Sequence, residues 1–331
     1  MAALREPTPQ QFPVVTLAHL DQLWFQIVGT RCNLRCSHCF ISCSPENLSF
    51  GSLTRETVAE HLTASVRHGV KEYYFTGGEP FLHPQIVEIL SLALEYGPVT
   101  VLTNGTVMTP RLVDALAEAA AGSLYSLEFR VSIDHFDETE NDRIRGAGAY
   151  RKALRGMHRL SAGGFVPIVT AMRTWELDED LDVIANLSAV LRDVGIDKPR
   201  IKILPSLKIG AEAERSGGYE GYDYVTEEML REFPMEQFVC SHSRIVTDRG
   251  VHVCPILIEA PDSILGQNLD EATAGFALSH QACSTCYQYG AFCANPSALV
   301  AETGASPAPQ RLSEAGRKLD LSAVAVAAPA R

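Results

Sequence analysis

No window of the 331 residues approaches 18 consecutive apolar positions, so no membrane-spanning helix is expected. The N-terminus, MAALREPTPQQFPVV, lacks the basic start and unbroken apolar stretch of a secretory signal. Nor is there a run of Lys and Arg dense enough to follow a phosphate backbone. The formal net charge is −12, from 28 basic and 40 acidic residues, so nucleic acid is not an expected partner. No internal repeat of roughly 20 to 50 residues is visible. These absences leave a cytoplasmic protein as the expectation. At 46% hydrophobic residues the chain is long enough for one large core, or for one large and one small domain.

What the chain does have is nine cysteines. In a reducing compartment they are poor candidates for structural disulfides, and metal or redox chemistry is the better reading. Cys32, Cys36, Cys39 and Cys43 fall near the start; Cys240, Cys254, Cys283, Cys286 and Cys293 fall towards the end. None lies between, which points to two sites on two structural units.

Between the groups, strand and helix patterns alternate. LWFQIV (23–28), EYYFTG (72–77), VTVLTN (99–104), LEFRVSI (127–133), VPIVTAMR (166–173) and RIKILP (200–205) read as strands. Helical periodicity fills the intervals at 54–69, 85–97, 110–122, 149–164 and 179–195. Such alternation predicts an α/β fold with a parallel sheet, either doubly wound or curled into a barrel. Polar residues collect at the strand ends: the cysteines after the first, Gly77, Gly78 and Glu79 after the second, Asn104 after the third, Ser132 and Asp134 at the fourth. Barrel folds gather their sites there. The expected architecture is a partial (β/α)6 TIM-like barrel followed by a small C-terminal cysteine-rich α+β domain.

Cys32, Cys36 and Cys39 have the spacing C-x3-C-x2-C in the loop after the first strand; GGEP follows the second strand at 77–80, and TNGT stands at 103–106. This combination resembles the radical S-adenosylmethionine (SAM) superfamily over about residues 22–210. The resemblance implies a four-iron cluster with three protein thiolates, whose fourth iron stays open for the amino and carboxylate groups of SAM. It implies that Gly77, Gly78, Glu79 and Pro80 receive the methionine ammonium through backbone and carboxylate. By the same analogy Ser132 and Asp134 hold the ribose or methionine part, Asn104 borders that pocket, Arg173 meets the SAM carboxylate, and His38 and Phe40 lie near the adenine. Read without the resemblance, a GG pair after a strand is a turn. Three thiolates with His38 would also suit zinc, and Cys43 is either a fourth ligand, which would close the site, or a free thiol.

In the second group, CSHSRIVTDRGVHVCP sets Cys240 and Cys254 on either side of an expected hairpin turning at Asp248-Arg249-Gly250, and Cys283 and Cys286 form a C-x2-C knuckle. The set resembles the Twitch domain of certain radical SAM enzymes, which carries one auxiliary four-iron cluster. It departs from that pattern in having three residues rather than four between Gly250 and Cys254. The longer SPASM form needs more cysteines than Cys293, the one left after Cys286. Cys293 either replaces one of the four or is free, and four thiolates also suit structural zinc. The expected division is an N-terminal extension at 1–21, a barrel at 22–210, the iron–sulfur domain at 211–295 and a disordered tail at 296–331. The segment 206–229 reads as a linker whose Tyr219, Tyr222 and Tyr224 edge the substrate opening or are simply exposed.

The implied activity is reductive cleavage of SAM to a 5′-deoxyadenosyl radical, which abstracts hydrogen from a small-molecule substrate. The auxiliary cluster would accept an electron or bind substrate, and flavodoxin or ferredoxin would supply the reducing electron. In DHFDETENDRIRGAGAY (134–150), Arg145, Gly146 and Tyr150 match a pattern seen in SPASM and Twitch enzymes. His135 or Asp137 would act on the substrate, or these charges are solvated. Only Met1 to Gln22 lead into the first strand, short of the roughly 80 residues a leader-peptide domain needs, so a small molecule is expected over a peptide substrate. A peptide-modifying maturase and a non-catalytic iron–sulfur or zinc protein are the alternatives. No added cobalamin domain is visible, which argues against methyl transfer.

Overall fold

The computed structural model describes residues 12–221 and 223–290. Cys293, Tyr222, most of the N-terminal extension and the expected C-terminal tail lie outside the described residues. In chain order the elements are β1 (Val14–Val15), β2 (Gln22–Gln26), α1 (Arg55–Arg67), β3 (Glu72–Thr76), α2 (Ile86–Ala93), β4 (Val99–Thr103), α3 (Pro110–Ala121), β5 (Leu127–Ser132), α4 (Glu138–Arg145), α5 (Ala149–Ala162), β6 (Ile168–Met172), α6 (Asp180–Asp193), β7 (Arg200–Leu204), α7 (Ala211–Ser216), β8 (Ser243–Thr247), β9 (Gly250–His252), β10 (Ile264–Gly266), β11 (Phe276–Ala277) and α8 (Ala282–Tyr289).

The helices begin where local chemistry favours it. The Thr54 side chain accepts the Thr57 amide at 3.1 Å to cap α1, and Thr109 followed by Pro110 caps α3. α1 buries Val58, Leu62 and Ser65, one stripe at helical spacing. That stripe packs on one face of the main sheet, where Leu23, Phe25, Phe75, Val101, Phe129, Val131 and Val169 form the principal core with residues of α2, α3, α5 and α6.

The strands obey a two-residue period. QLWFQ, EYYFT and LEFRVS send Leu23, Phe25, Tyr73, Phe75, Leu127, Phe129 and Val131 to the helix-covered core. The intervening positions, among them Trp24, Thr76, Arg130 and Ser132, line a cavity on the other face. A parallel sheet covered on both faces would instead read as near-continuous apolar runs. The alternation therefore belongs to a sheet wrapped around a cavity of mixed polar and apolar lining, the partial-barrel form of α/β fold.

β2 to β7 pair in parallel and in sequence order, as the six expected strands do. The sheet then continues past the expected boundary at residue 210. β8 pairs in parallel with β2, Gln22 opposite Ser243, and the hairpin partner β9 and then β10 follow antiparallel, giving the order β10-β9-β8-β2-β3-β4-β5-β6-β7. Among the described residues β7 and β10 are the edges, so the sheet is open. The C-terminal segment shares the main sheet but keeps its own side-chain cluster around Phe238, Cys240, Cys254, Leu278 and Cys283. Three local features differ from the sequence reading. The linker at 206–229 contains α7, the segment after β5 contains α4, and Cys283 and Cys286 sit one turn apart on α8 rather than in an open knuckle.

Candidate active site and thiol centres

The loop between β2 and α1 carries the first cysteines to the C-terminal ends of the parallel strands, beside the β3 end. Backbone contact holds it there. Gly78 N–H donates to the Gly29 carbonyl at 2.9 Å, and Glu79 N–H to the Arg31 carbonyl at 3.1 Å. A Cβ on Gly78 would lie 1.9 Å from the Arg31 carbonyl oxygen, and Gly77 has a φ of 139°. Two glycines are therefore required here by close approach and by backbone conformation. Gly78→Ala is expected to lower stability by about 1–3 kcal/mol or more and to reduce iron uptake, read from the thermal midpoint and iron content of anaerobically reconstituted protein.

Cys32, Cys36, Cys39 and Cys43 all line one cavity with Gly77, Gly78, Asn104 and Ser132. Leu34 N–H points at Cys32 Sγ (3.4 Å) and Cys43 N–H at Cys39 Sγ (3.3 Å). Asn104 Nδ2 lies 3.8 Å from Cys32 Sγ and donates to Asn33 at 2.8 Å. Burial pushes the Cys32 thiol up to about 11 and that of Cys36 up to about 12, the latter against the pull of Arg145. The Cys43 side chain hydrogen-bonds Cys39 and holds it down at about 6, while Cys43 itself is driven far above the ordinary thiol value. Cys43 is thus the thiol partner of Cys39 and a wall of the same cavity.

Several residues expected at this pocket are used elsewhere. The Glu79 carboxylate is fully buried and accepts from Thr103 Oγ1 (2.7 Å), Asn104 N–H (2.7 Å) and Phe81 N–H (3.1 Å). Burial raises it to about 7. It latches the end of β3 to that of β4 and, like Pro80, does not line the cavity; the glycines do. Arg173 is paired with Asp180 of α6 at 2.7 and 3.0 Å and does not reach the cavity. Asp134 lies behind the pocket wall. Its carboxylate accepts from a terminal guanidinium nitrogen of Arg145 (3.0 Å), His38 Nε2 (2.6 Å) and Met172 N–H (3.0 Å), and Arg145 Nε lies 2.6 Å away as an ion pair. Burial alone would raise this carboxyl; Arg145 and then His38 outweigh it and hold it well below the usual range. Asp137 caps α4 and His135 stacks on Phe136, and neither lines the cavity. The Tyr219 hydroxyl is spent on Thr285 at 2.6 Å, and Tyr224 meets Phe12.

Other lining residues were not expected: Trp24, Arg130, Thr170, Met172, Leu207 and Pro255. Trp24 Nε1 and Thr170 Oγ1 are buried without a hydrogen-bond partner among the described residues, as suits a cavity built for a polar ligand. The signal for several of them was the polar phase of the strand alternation.

The second group converges as well. Cys240, Cys254, Cys283 and Cys286 together line a small, otherwise apolar cavity, with Phe238, Ile256 and Leu257 among its walls. Burial raises Cys240 to about 12 and raises Cys254 and Cys283 too. None of the eight described cysteines forms a disulfide. Among the described residues no group of three or more His, Cys, Asp or Glu side chains is arranged to hold a single metal ion.

An open α/β sheet with three spaced thiols and a glycine-lined cavity at its strand ends has the ligand chemistry an iron–sulfur cluster takes. The model of the radical SAM superfamily matches residues 27–187. Residues 27–187 therefore carry a radical SAM domain, in a family that works with a four-iron cluster and SAM. It is 30% identical over 165 residues to the antilisterial bacteriocin subtilosin biosynthesis protein AlbA of Bacillus subtilis, a match covering 48% of this chain and 36% of AlbA. It is 26% identical over 273 residues to GTP 3′,8-cyclase of Petrotoga mobilis, covering 78% and 74% respectively. Its fold resembles that of Streptococcus suis SuiB bound to S-adenosylmethionine, with a TM-score of 0.54 at 18% identity over 74% of this chain and 62% of SuiB. The chain spans only 36%, 46% and 41% of the length of AlbA, a heme synthase and a mycofactocin maturase. No described helix is long and apolar enough to cross a membrane.

Proposed function

We propose that this chain is a radical SAM oxidoreductase acting on a small molecule, with Cys32, Cys36 and Cys39 holding the SAM-binding cluster and Cys240, Cys254, Cys283 and Cys286 an auxiliary one. The observation that carries it is the pair of thiol-lined cavities, the first beyond the C-terminal end of β2 and the second beside the start of β8, joined through consecutive residues: Cys254 lines one and Pro255 the other. When bound at the first site, the cluster and SAM supply one-electron cleavage and a radical that removes hydrogen from carbon. The backbone of Gly77 and Gly78 receives the amino acid end of SAM, Asn104 and Ser132 border it, and Trp24, Arg130 and Thr170 form the floor. Phe40, Leu204, Pro205, Leu207 and Pro255 form an apolar rim that would seat an apolar carbon of the substrate and exclude water.

Four buried thiols converging on one otherwise apolar site supply the ligand set of an auxiliary four-iron cluster, with a structural zinc ion as the competing occupant that metal analysis separates. Electron acceptance from the substrate is the role that the adjacency of Cys254 and Pro255 supports, with a flavodoxin or ferredoxin as external donor. The likeness to a GTP cyclase runs through 78% of this chain and favours a small molecule. The likeness to a bacteriocin biosynthesis protein supports a peptide side chain as the second reading, over 48% of the chain.

Iron and zinc analysis of anaerobically reconstituted protein, followed by incubation with dithionite and SAM, tests the assignment. About eight irons per chain and 5′-deoxyadenosine are expected. Cys254→Ser with Cys283→Ser should lower iron to about four and keep SAM cleavage, while losing oxidised product once a substrate is in hand. Turnover that survives this loss would refute the electron-accepting role, and zinc alone without SAM cleavage would refute the enzyme.

A further inference from the structure

Arg244, on β8, is 1% exposed. Buried arginines are ordinarily paired with a carboxylate, because a guanidinium removed from water without an opposite charge is costly. Among the described residues Arg244 donates instead to backbone carbonyls: Ser243 (2.7 Å), Cys240 (2.8 Å), Ala272 (2.8 Å), Ala274 (3.2 Å) and Val253 (3.4 Å). Carbonyl dipoles satisfy its hydrogen bonds but leave its charge uncancelled. Two of those carbonyls belong to Cys240 itself and to the residue before Cys254. The uncompensated cation therefore sits against the backbone that carries half of the four-thiol cavity.

We infer that Arg244 is the fixed counter-charge of this C-terminal site and raises the reduction potential of a cluster bound there. The inference rests on the preceding assignment of the four cysteines. Thiolate ligation makes the site anionic, and reduction adds one electron, drawn in turnover from the substrate and on the bench from dithionite. A buried positive charge stabilises that added electron more strongly than it would in water, since the surrounding walls are apolar. The competing role is purely structural: Arg244 would only stitch the 272–274 backbone to β8.

A reductive titration of the reconstituted full-length chain followed by electron paramagnetic resonance separates the two, with SAM added to mark the signal of the N-terminal cluster. Arg244→Gln, which keeps donors but removes charge, should lower the reduced-to-oxidised ratio of the second cluster at least tenfold at fixed potential, about 59 mV for a one-electron couple. Arg244→Lys should stay within about threefold of the parent by the same measure. A glutamine variant with both clusters and an unmoved potential overturns the inference and leaves the cluster assignment intact. A parent protein with about four irons and no second signal overturns the assignment itself. If the glutamine variant loses the second cluster but the lysine variant keeps it at the parent potential, the charge is the requirement and the inference holds. Loss of the cluster in both makes Arg244 a backbone latch and overturns it.

Discussion

Cys36→Ala is expected to eliminate 5′-deoxyadenosine formation while leaving the C-terminal site loaded, so that iron falls from about eight to about four per chain. The loss should reach at least about 10⁶-fold, the lower end of enzymatic accelerations, because the cofactor rather than a side chain carries the bond-breaking step. Cys36 is the sharpest of the three positions to test. It lies beside Arg145, whose guanidinium is 4.0 Å from its sulfur and pulls the thiol down, although burial outweighs that pull and pushes it up to about 12. Cys43→Ser supplies the opposite arm. Cys43 lines the same cavity and its side chain hydrogen-bonds Cys39, so it is the one thiol that could close the site as a fourth ligand. SAM cleavage by the parent that persists in Cys43→Ser keeps the open-iron reading; a parent that cleaves no SAM, with iron lost in Cys43→Ser as in Cys36→Ala, replaces it with a closed electron-transfer cluster.

The sequence carried the barrel and concealed how its last third joins it. Five of the helices and the six parallel strands follow from periods of 3.6 and 2 with local punctuation such as Thr109-Pro110, signals that need no tertiary information. Pairing partners do need it. Nothing in SRIVT says that it lies beside QLWFQ rather than in a separate unit, because register is set by side chains more than two hundred residues apart. The same limit explains the site. Thiol spacing and GGEP pointed to the cavity, yet motif membership could not say which atoms of a motif face the ligand. Glu79 and Asp134 stand among motif residues but are withdrawn into hydrogen-bond networks. Trp24, Arg130 and Thr170 belong to no motif and line the cavity. Their positions, opposite in phase to the core residues of alternating strands, were readable, and they mark the cavity-facing side of the sheet.

Asp134→Ala is expected to cost about 3–5 kcal/mol of stability, because it strips the buried Arg145 of its counter-ion and His38 of its acceptor at once. Three donors from three parts of the chain converge on this carboxylate: Arg145 at the end of α4, which also pairs with it through Nε, His38 between two cysteines, and the Met172 amide at the end of β6. It ties the cysteine loop to the far side of the barrel mouth, so its removal should also loosen Cys36 and Cys39 and lower cluster uptake. Chemical denaturation of the protein before iron loading measures the first effect, and iron content after reconstitution the second. Arg145→Met combined with Asp134→Ala supplies the control, since removing both charges should recover part of the stability lost by either alone. That double variant should still load iron less well than the parent, because the charge beside Cys36 is gone. If it regains stability and iron uptake in full, the network serves folding alone. If stability returns while iron uptake does not, the buried pair also keeps a positive charge at the thiol that the cluster must take as an anion.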